Sequence, residues 1–166
     1  MIILVNDANI IIDLMKIDLL KPFFELPYEF HVTDLVVAEV QEGDVAKLDH
    51  FIENGSLHKK SFSYDELMQI QLLEVTHLKL SIADCSCLFH AKRLFANLLT
   101  GDAVLRKTAE QEQISVHGIL WIFDELIKYG VIAREQAHEK LSYLMTKNPR
   151  LPAEECKKRL KKWKQG

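Results

Sequence analysis

Four acidic side chains stand at positions in the sequence from which they could act together. Asp7 directly follows the short apolar run IILV, and Asp102 follows the run NLLT after a single glycine. Asp84 opens a segment of helical spacing, and Glu39 lies inside the otherwise apolar segment TDLVVAEV. Singly, Asp7, Asp84 and Asp102 have ordinary explanations as turn or helix-capping residues. Glu39 has fewer, because an unpaired carboxylate is costly to bury in apolar surroundings.

Four carboxylates that meet at one place repel each other and need a cation or protons to stay there. Oxygen ligands suit Mg²⁺ or Mn²⁺, whereas zinc would require His or Cys spacings that this chain lacks. A bound divalent ion lowers the pKa of a water ligand and neutralises a phosphate, so it supports phosphodiester hydrolysis without a Ser or Cys nucleophile. We therefore predict one site for Mg²⁺ or Mn²⁺, with the same residues as ligands and as catalytic groups: Asp7, Glu39, Asp84 and Asp102.

The elements that must position these acids follow from the alternation of apolar runs with segments of helical spacing. Strands are predicted for IILV, residues 29–32, residues 56–62, NLLT and ISVH. Between them, Thr33 is a predicted N-cap for a helix over TDLVVAEVQ, with Gly43 at or just beyond its end. Ser63 with Glu66, and Ser81 with Asp84, predict capping boxes.

This alternation predicts an α/β fold with a central parallel sheet of four to five strands flanked by helices. Ligands of such sheets bind beyond the carboxyl ends of the strands. Asp7 and Asp102 should therefore open onto the same edge.

The charge of the chain is unevenly distributed. Residues 147–166 hold eight basic and two acidic side chains, although the net charge of all 166 residues is −3. We predict a single domain over residues 1–146 and a basic helical tail over residues 147–166. The helix of this tail should have Pro152 in its first turn and end near Trp163. Because the body is acidic, contact with RNA must be local, through the tail or through bound cations.

Other features exclude several classes of protein. The N-terminus lacks the basic start and cleavage site of a signal peptide, and no apolar run reaches the roughly 20 residues of a membrane span. We therefore expect a soluble, cytoplasmic protein that does not contact a membrane. The three cysteines have no C-x-x-C spacing and are predicted to be buried, inert thiols. The seven histidines show no ligand spacing. Trp121 and Phe123 are predicted to lie in the core or on a dimer surface in preference to forming a base-stacking platform.

Two other folds with acids at the ends of strands are excluded, each by a single residue. A receiver domain would carry an acidic pair at the first strand and another Asp near position 54, where this chain has Asn54. A haloacid-dehalogenase fold would carry D-x-D, and the corresponding residues here are Asp7, Ala8 and Asn9.

The order of four segments resembles the PIN domain, including the VapC-like toxins of toxin–antitoxin pairs. The segments are NDANIII, VVAEV, LSIADCSCLFHAKRL and LLTGDAVLRKTAEQEQISVHGIL. The resemblance covers residues 1 to about 130, so the basic tail lies outside it. It implies a metal-dependent endoribonuclease with RNA as its substrate, and it suggests a small antitoxin protein and a second copy of the chain as candidate partners. The alternative is a PIN-like scaffold that binds a protein or RNA without cutting it.

The resemblance also assigns roles position by position. Asp7 matches the acid after the first strand, Glu39 the helical glutamate, Asp84 the acid that opens the central helix, and Asp102 the acid of the T-G-D turn. Asn9 and Thr100 match positions that support the site by hydrogen bonding without binding the metal.

The chain departs from the family pattern in two places. Ala8 stands where many relatives have a small hydroxyl residue, and Gly101 and Val104 stand where some have further acids. The resemblance therefore implies one metal site and leaves a second in doubt.

Overall fold

A five-stranded parallel sheet forms the centre of the protein in the computed structural model, which describes residues 1–40 and 42–165. The strands lie in the order β3-β2-β1-β4-β5. Their bounds are β1 Ile3–Asn6, β2 Glu29–Thr33, β3 Leu57–Lys60, β4 Asn97–Leu99 and β5 Val116–His117. The predicted α/β fold with a parallel sheet of four to five strands is confirmed.

Helices connect the strands and cover the sheet. They are α1 Ala8–Lys16, α2 Leu20–Phe24, α3 Asp34–Val37, α4 Glu42–Glu53, α5 Tyr64–Thr76, α6 Ile82–Leu94, α7 Ala103–Gln111, α8 Ile119–Lys128, α9 Arg134–Lys147 and α10 Ala153–Lys164. Of these, the sequence patterns did not predict α2, α4 and α9. No helix in the described ranges is long and apolar enough to cross a membrane.

The central strand β1 is apolar because both of its faces are covered. Leu4 and Val5 have no solvent exposure, and Leu4 pairs with Phe30 on one side and with Asn97 on the other. A strand buried on both faces reads as a continuous apolar run, not as an alternating pattern. This burial fixes where β1 ends, since the first polar residues, Asn6 and Asp7, come at its carboxyl edge.

Local capping signals set the start of three helices near that edge. The predicted capping boxes of α5 and α6 are both present, with Ser81 and Asp84 exchanging side chain to backbone hydrogen bonds of 3.0 Å. Thr33 caps α3 by accepting a hydrogen bond from the N–H of Val36 at 3.1 Å. The helices therefore begin where the short-range chemistry of the sequence requires.

The helix predicted over TDLVVAEVQ is wrong in its extent. It ends at Val37, because the N–H groups of Glu39 and Val40 bond to the carbonyls of Val36 and Val37, three residues back. This tighter pattern closes the helix in a turn instead of extending it. Glu39 lies in that turn and is exposed, whereas it was predicted inside a largely buried helix. Gly43, the predicted helix end, falls in the first turn of α4.

The C-terminal helix packs against α9. Cys156 and Trp163 are buried, and the Trp163 ring lies 5.7 Å from that of Phe123. Arg159 forms an ion pair with Asp124 at 2.8 Å. The burial predicted for the three cysteines is confirmed.

Candidate active site

Asp7 lies at the carboxyl end of β1 and begins α1. Its own N–H donates to the carbonyl of Leu99 in the neighbouring β4 at 2.9 Å, and its Oδ1 accepts a hydrogen bond from the N–H of Ala8 at 2.8 Å. The residue is only 3% exposed. Asp7 is therefore a buried carboxylate held by two elements at the middle of the sheet edge.

Thr100 links Asp7 to Asp102. The Thr100 hydroxyl donates to Asp7 Oδ2 at 2.7 Å and accepts a hydrogen bond from the backbone N–H of Asp102 at 3.0 Å. Thr100 is fully buried, so this bridge is shielded from water. The side chain of Asp102 caps α7 by accepting from the N–H of Leu105 through Oδ1, at 2.9 Å. Thr100 thus fixes the orientation of Asp7, and Asp102 keeps one carboxylate oxygen outside its cap.

Asp84 approaches from α6, which packs beside β1 and β2. Its Oδ2 accepts from the N–H of Ser81 in the capping box, and Oδ1 has no part in that bond. A buried pair of hydroxyls, Thr33 and Ser86, lies 2.8 Å apart and joins the end of β2 to α6. This pair holds the turn that carries Glu39 beside the helix that carries Asp84.

Asp7 and Glu39 both have raised pKa values, and the charge of Asp84 contributes to each. The pKa of Asp7 is raised to about 6, chiefly because burial disfavours its charged form, and repulsion by Asp84 and Glu39 adds to this. The hydrogen bonds from Thr100 and Ala8 work in the opposite direction. The pKa of Glu39 is also raised, first by desolvation of its carboxyl group and then by Asp84.

The buried Cys87 is near enough to Asp7, Asp84 and Glu39 for the charge of each to act on its thiol. Its thiol donates to the carbonyl of Asn6 at 3.9 Å and is fully buried. Its pKa is raised well above the ordinary value by burial and by the charges of Asp7, Asp84 and Glu39. A thiol in this environment stays protonated, so Cys87 is a buried packing residue next to the site and not a nucleophile.

The structure thus draws Asp7, Glu39 and Asp84 into one electrostatic group and connects Asp102 to it through Thr100. Asn9 is half-buried and lines a neighbouring cleft; within the described residues it has no hydrogen bond to the acids. Over the same ranges, no three His, Cys, Asp or Glu side chains converge closely enough to enclose a metal ion by themselves.

Sequence reasoning missed Asn6 and Ser86, which are fully buried. Asn6 donates its side-chain N–H to the carbonyl of His31 at 3.1 Å, which joins β1 to β2 directly before Asp7. The position of Asn6 between an apolar strand and an acid was the available signal. Nothing in the sequence marks Ser86, because its partner Thr33 is 53 residues away.

A family model for the PIN domain matches residues 3–165 of the chain. No curated protein matches the chain. The chain belongs to the PIN-domain family. The match covers the basic tail as well as the sheet, which agrees with the packing of α10 on α9. PIN domains are usually nucleases and generally use divalent metal ions.

The donor set of this PIN domain fits a hard divalent ion. Asp7 is a buried carboxylate under repulsion from two other acids, and in the described residues none of the four acids is paired with a Lys or Arg side chain. Mg²⁺ keeps several waters and is usually bound through only one or two carboxylates, so it needs no closed protein cage. Asp7 would hold the ion, and Asp84, Glu39 and Asp102 would be the further carboxylates at the site.

Proposed function

We propose that this PIN domain is a metal-dependent endoribonuclease that hydrolyses RNA phosphodiesters with Mg²⁺ or Mn²⁺. The observation that carries the proposal is the buried Asp7 carboxylate, whose pKa is raised to about 6 by burial and by neighbouring Asp84 and Glu39. Such a cluster destabilises the folded protein unless a cation occupies it. Proteins retain a destabilising charge cluster of this kind mainly at functional sites.

When bound, a divalent ion would supply an activated water and neutralise charge on the scissile phosphate. The residues of the chain have separate tasks. Asp7 would hold the ion, and Asp84, Glu39 and Asp102 would provide the further carboxylate charge that retains it. The Thr100 hydroxyl keeps Asp7 in one orientation, and the Asp102 backbone N–H keeps the hydroxyl in place.

The test is cleavage of single-stranded and structured RNA with Mn²⁺, with EDTA as the blank. Asp7→Asn and Asp84→Asn each remove a charge and nearly keep the shape of the side chain. The far-UV circular dichroism spectrum at room temperature should therefore remain unchanged while RNA cleavage falls. Loss of an outer partner of a metal ligand costs roughly 10–100-fold, and loss of a ligand should cost at least as much. The matched control is Asp65→Asn, an exposed acid in the first turn of α5.

Full metal-dependent cleavage by Asp7→Asn and Asp84→Asn would show that these residues are wrongly assigned. Binding of Mn²⁺ by a wild-type protein that cuts no RNA would instead favour the alternative, a PIN domain that binds RNA or a protein without cutting it.

A role as the toxin of a type II toxin–antitoxin pair extends the same proposal, with a small antitoxin and a second copy of the chain as partners. A toxic ribonuclease should arrest growth when it is expressed, and Asp7→Asn at the same protein level should not. Equal growth under both would exclude the toxin role and leave the ribonuclease proposal intact.

A further inference from the structure

A cleft of about 500 Å³ opens beside the acidic cluster. Its walls come from α1, the turn between β4 and α7, the start of α8, and the segment that joins α9 to α10. Thr100, which donates to Asp7, contributes to its lining, and so does Asn9, two residues after Asp7. The volume falls within the range of small-ligand pockets, so one nucleotide fits and a duplex does not. Whatever enters this cleft lies next to the proposed metal site.

The charge of the cleft is opposite to that of the site. Both of its acids have partners inside the protein: Asp13 accepts a hydrogen bond from the Asn148 side chain at 2.9 Å, and Glu155 is paired with Arg159 at 3.4 Å. Arg159 is held in addition by Asp124.

Two further arginines face the cleft without the close ion pairs that hold Arg159. The side chain of Arg106 is 42% exposed and reaches Glu110 only at 3.8 Å. Arg150 is exposed and forms no ion pair within the described residues; burial raises the pKa of Asp13, and the charge of Arg150 acts against that rise. These two guanidinium groups can therefore take up an anion. Planar guanidinium groups bind phosphate oxygens in pairs, which makes arginine the usual residue for this task.

One wall of the cleft is a rigid aromatic pair. The rings of His117 and Trp121 are stacked with their centroids 4.2 Å apart and their planes at 13°. The ring of Tyr28 packs against Trp121 with the two centroids 5.6 Å apart. Burial and the nearby Arg106 lower the pKa of His117, so its ring is neutral at pH 7. A flat, neutral aromatic surface suits the apolar face of a base or a ribose better than it suits a phosphate.

The C-terminal segment supplies another wall and is anchored at both ends. Asn148 bonds to Asp13 of α1 through its side-chain N–H, and its Oδ1 accepts from the backbone N–H of Arg150 at 3.0 Å. Beyond Arg150, α10 is fixed to α8 by the pairing of Arg159 with Asp124. Asn148 thus sets where Arg150 stands relative to α1.

We propose that this cleft binds the nucleotide of single-stranded RNA next to the scissile phosphate, with Arg106 and Arg150 at its phosphate and the His117–Trp121 pair beside its base. The choice of RNA as the ligand rests on the proposed function. The cleft explains how an acidic protein could hold a polyanion: the metal site takes the reacting phosphate and the two arginines take its neighbour. It also gives the C-terminal segment a place in substrate binding.

The test measures binding of a short single-stranded RNA by fluorescence anisotropy in EDTA, where metal-dependent cleavage cannot occur. Arg106→Ala and Arg150→Ala should each weaken binding about tenfold, the usual effect of losing a charged hydrogen bond. Each should also flatten the dependence of log affinity on log salt by about 0.7, because fewer counterions are released from a single strand. The matched controls are Lys107→Ala on α7 and Lys157→Ala on α10, both exposed and outside the cleft, which should bind within twofold of wild type.

Tryptophan fluorescence gives a second readout that does not depend on charge. RNA should quench the emission of Trp121, and Trp121→Phe should abolish the change, because Trp163 is buried elsewhere in the core. With Mn²⁺, the arginine variants should raise KM more than they lower kcat. Wild-type affinity and salt dependence in the Arg106→Ala, Arg150→Ala double variant would overturn the inference.

The outcomes separate this inference from the proposed function. RNA binding that depends on both arginines, in a protein that never cuts RNA with Mn²⁺, would uphold the cleft as an RNA site and refute the nuclease proposal. Cleavage that depends on Asp7 but not on either arginine would do the reverse.

Discussion

Replacing Asp7 by asparagine should stabilise the metal-free protein, although it removes the central acid of the proposed site. Asp7 is 3% exposed and its pKa is raised from 3.8 to about 6. The unfolded chain therefore releases this proton near pH 3.8, and the folded protein holds it until about pH 6. Above pH 6 the buried negative charge of Asp7 lowers the free energy of unfolding by its full amount, and this loss disappears as the pH falls to 3.8.

The size of the effect follows from that difference in pKa. It corresponds to about 3 kcal/mol of free energy of unfolding at neutral pH. Part of the gain is lost, because the amide turns an NH₂ group toward the Thr100 hydroxyl in place of the oxygen that accepts its proton, at a cost of about 1 kcal/mol. The net gain of about 2 kcal/mol should raise the melting temperature by about 6 °C in a chain of this length.

The assay is thermal unfolding by circular dichroism in EDTA at pH 7.5 and at pH 4.5. Asp7→Asn should melt higher than wild type at pH 7.5, and the difference should shrink at pH 4.5, where wild-type Asp7 is already protonated. Millimolar Mn²⁺ should raise the wild-type melting temperature by mass action and should act much less on the variant. Asp65→Asn, an exposed acid, is the control for a general charge effect. A variant that is no more stable than wild type at pH 7.5, or a gain that does not change with pH, would refute the reasoning.

Two further predictions test the supports of the site and the acid sensitivity of the fold. Thr100→Val keeps the shape of a fully buried side chain but removes the hydroxyl that donates to Asp7. RNA cleavage should therefore fall roughly 10–100-fold while the fold stays intact, and Thr100→Ser should retain most of the cleavage activity. Equal cleavage by the valine and serine variants would contradict this role. His90 is buried 3.1 Å from the ring nitrogen of His31, and burial, with His31 second, lowers its pKa to about 4. Since the unfolded chain takes up this proton near pH 6.5, the contribution of His90 to the free energy of unfolding should fall by up to about 3 kcal/mol as the pH drops from 6.5 to 4, opposite in sign to the contribution of Asp7. Chemical denaturation should therefore show His90→Phe gaining stability relative to wild type as the pH falls, and a difference that stays constant with pH would contradict the prediction.

The sequence was sufficient where the signal is short-range. The capping boxes Ser63 with Glu66 and Ser81 with Asp84 are present because each needs only residues three apart in the chain. The position of Asp7 was equally readable, because a strand buried on both faces must be apolar and its first polar residues mark its end. These local requirements account for the strands and most helix starts.

The sequence failed where hydrogen bonding departs from the apolar pattern. The spacing of TDLVVAEV favours a helix, yet tight backbone bonds at Glu39 and Val40 end it after Val37. As a result, Glu39 reaches the acidic cluster from an exposed turn and not from a buried helix. Periodicity records which side chains prefer the core, and it does not record where a helix changes its hydrogen-bond partners.

The sequence by itself determined the kinds of residue at the sheet edge and their order along the chain. Only the tertiary structure decided how they are connected. The Thr100 hydroxyl joins Asp7 to Asp102 across 93 residues of sequence, and Asn148 joins the C-terminal segment to Asp13 across 135. Each bond depends on strand order and helix packing, which bring distant residues within 3 Å of each other and exclude water from between them. No spacing in the sequence encodes such a meeting, because its energy comes from burial that exists only when the whole sheet has formed.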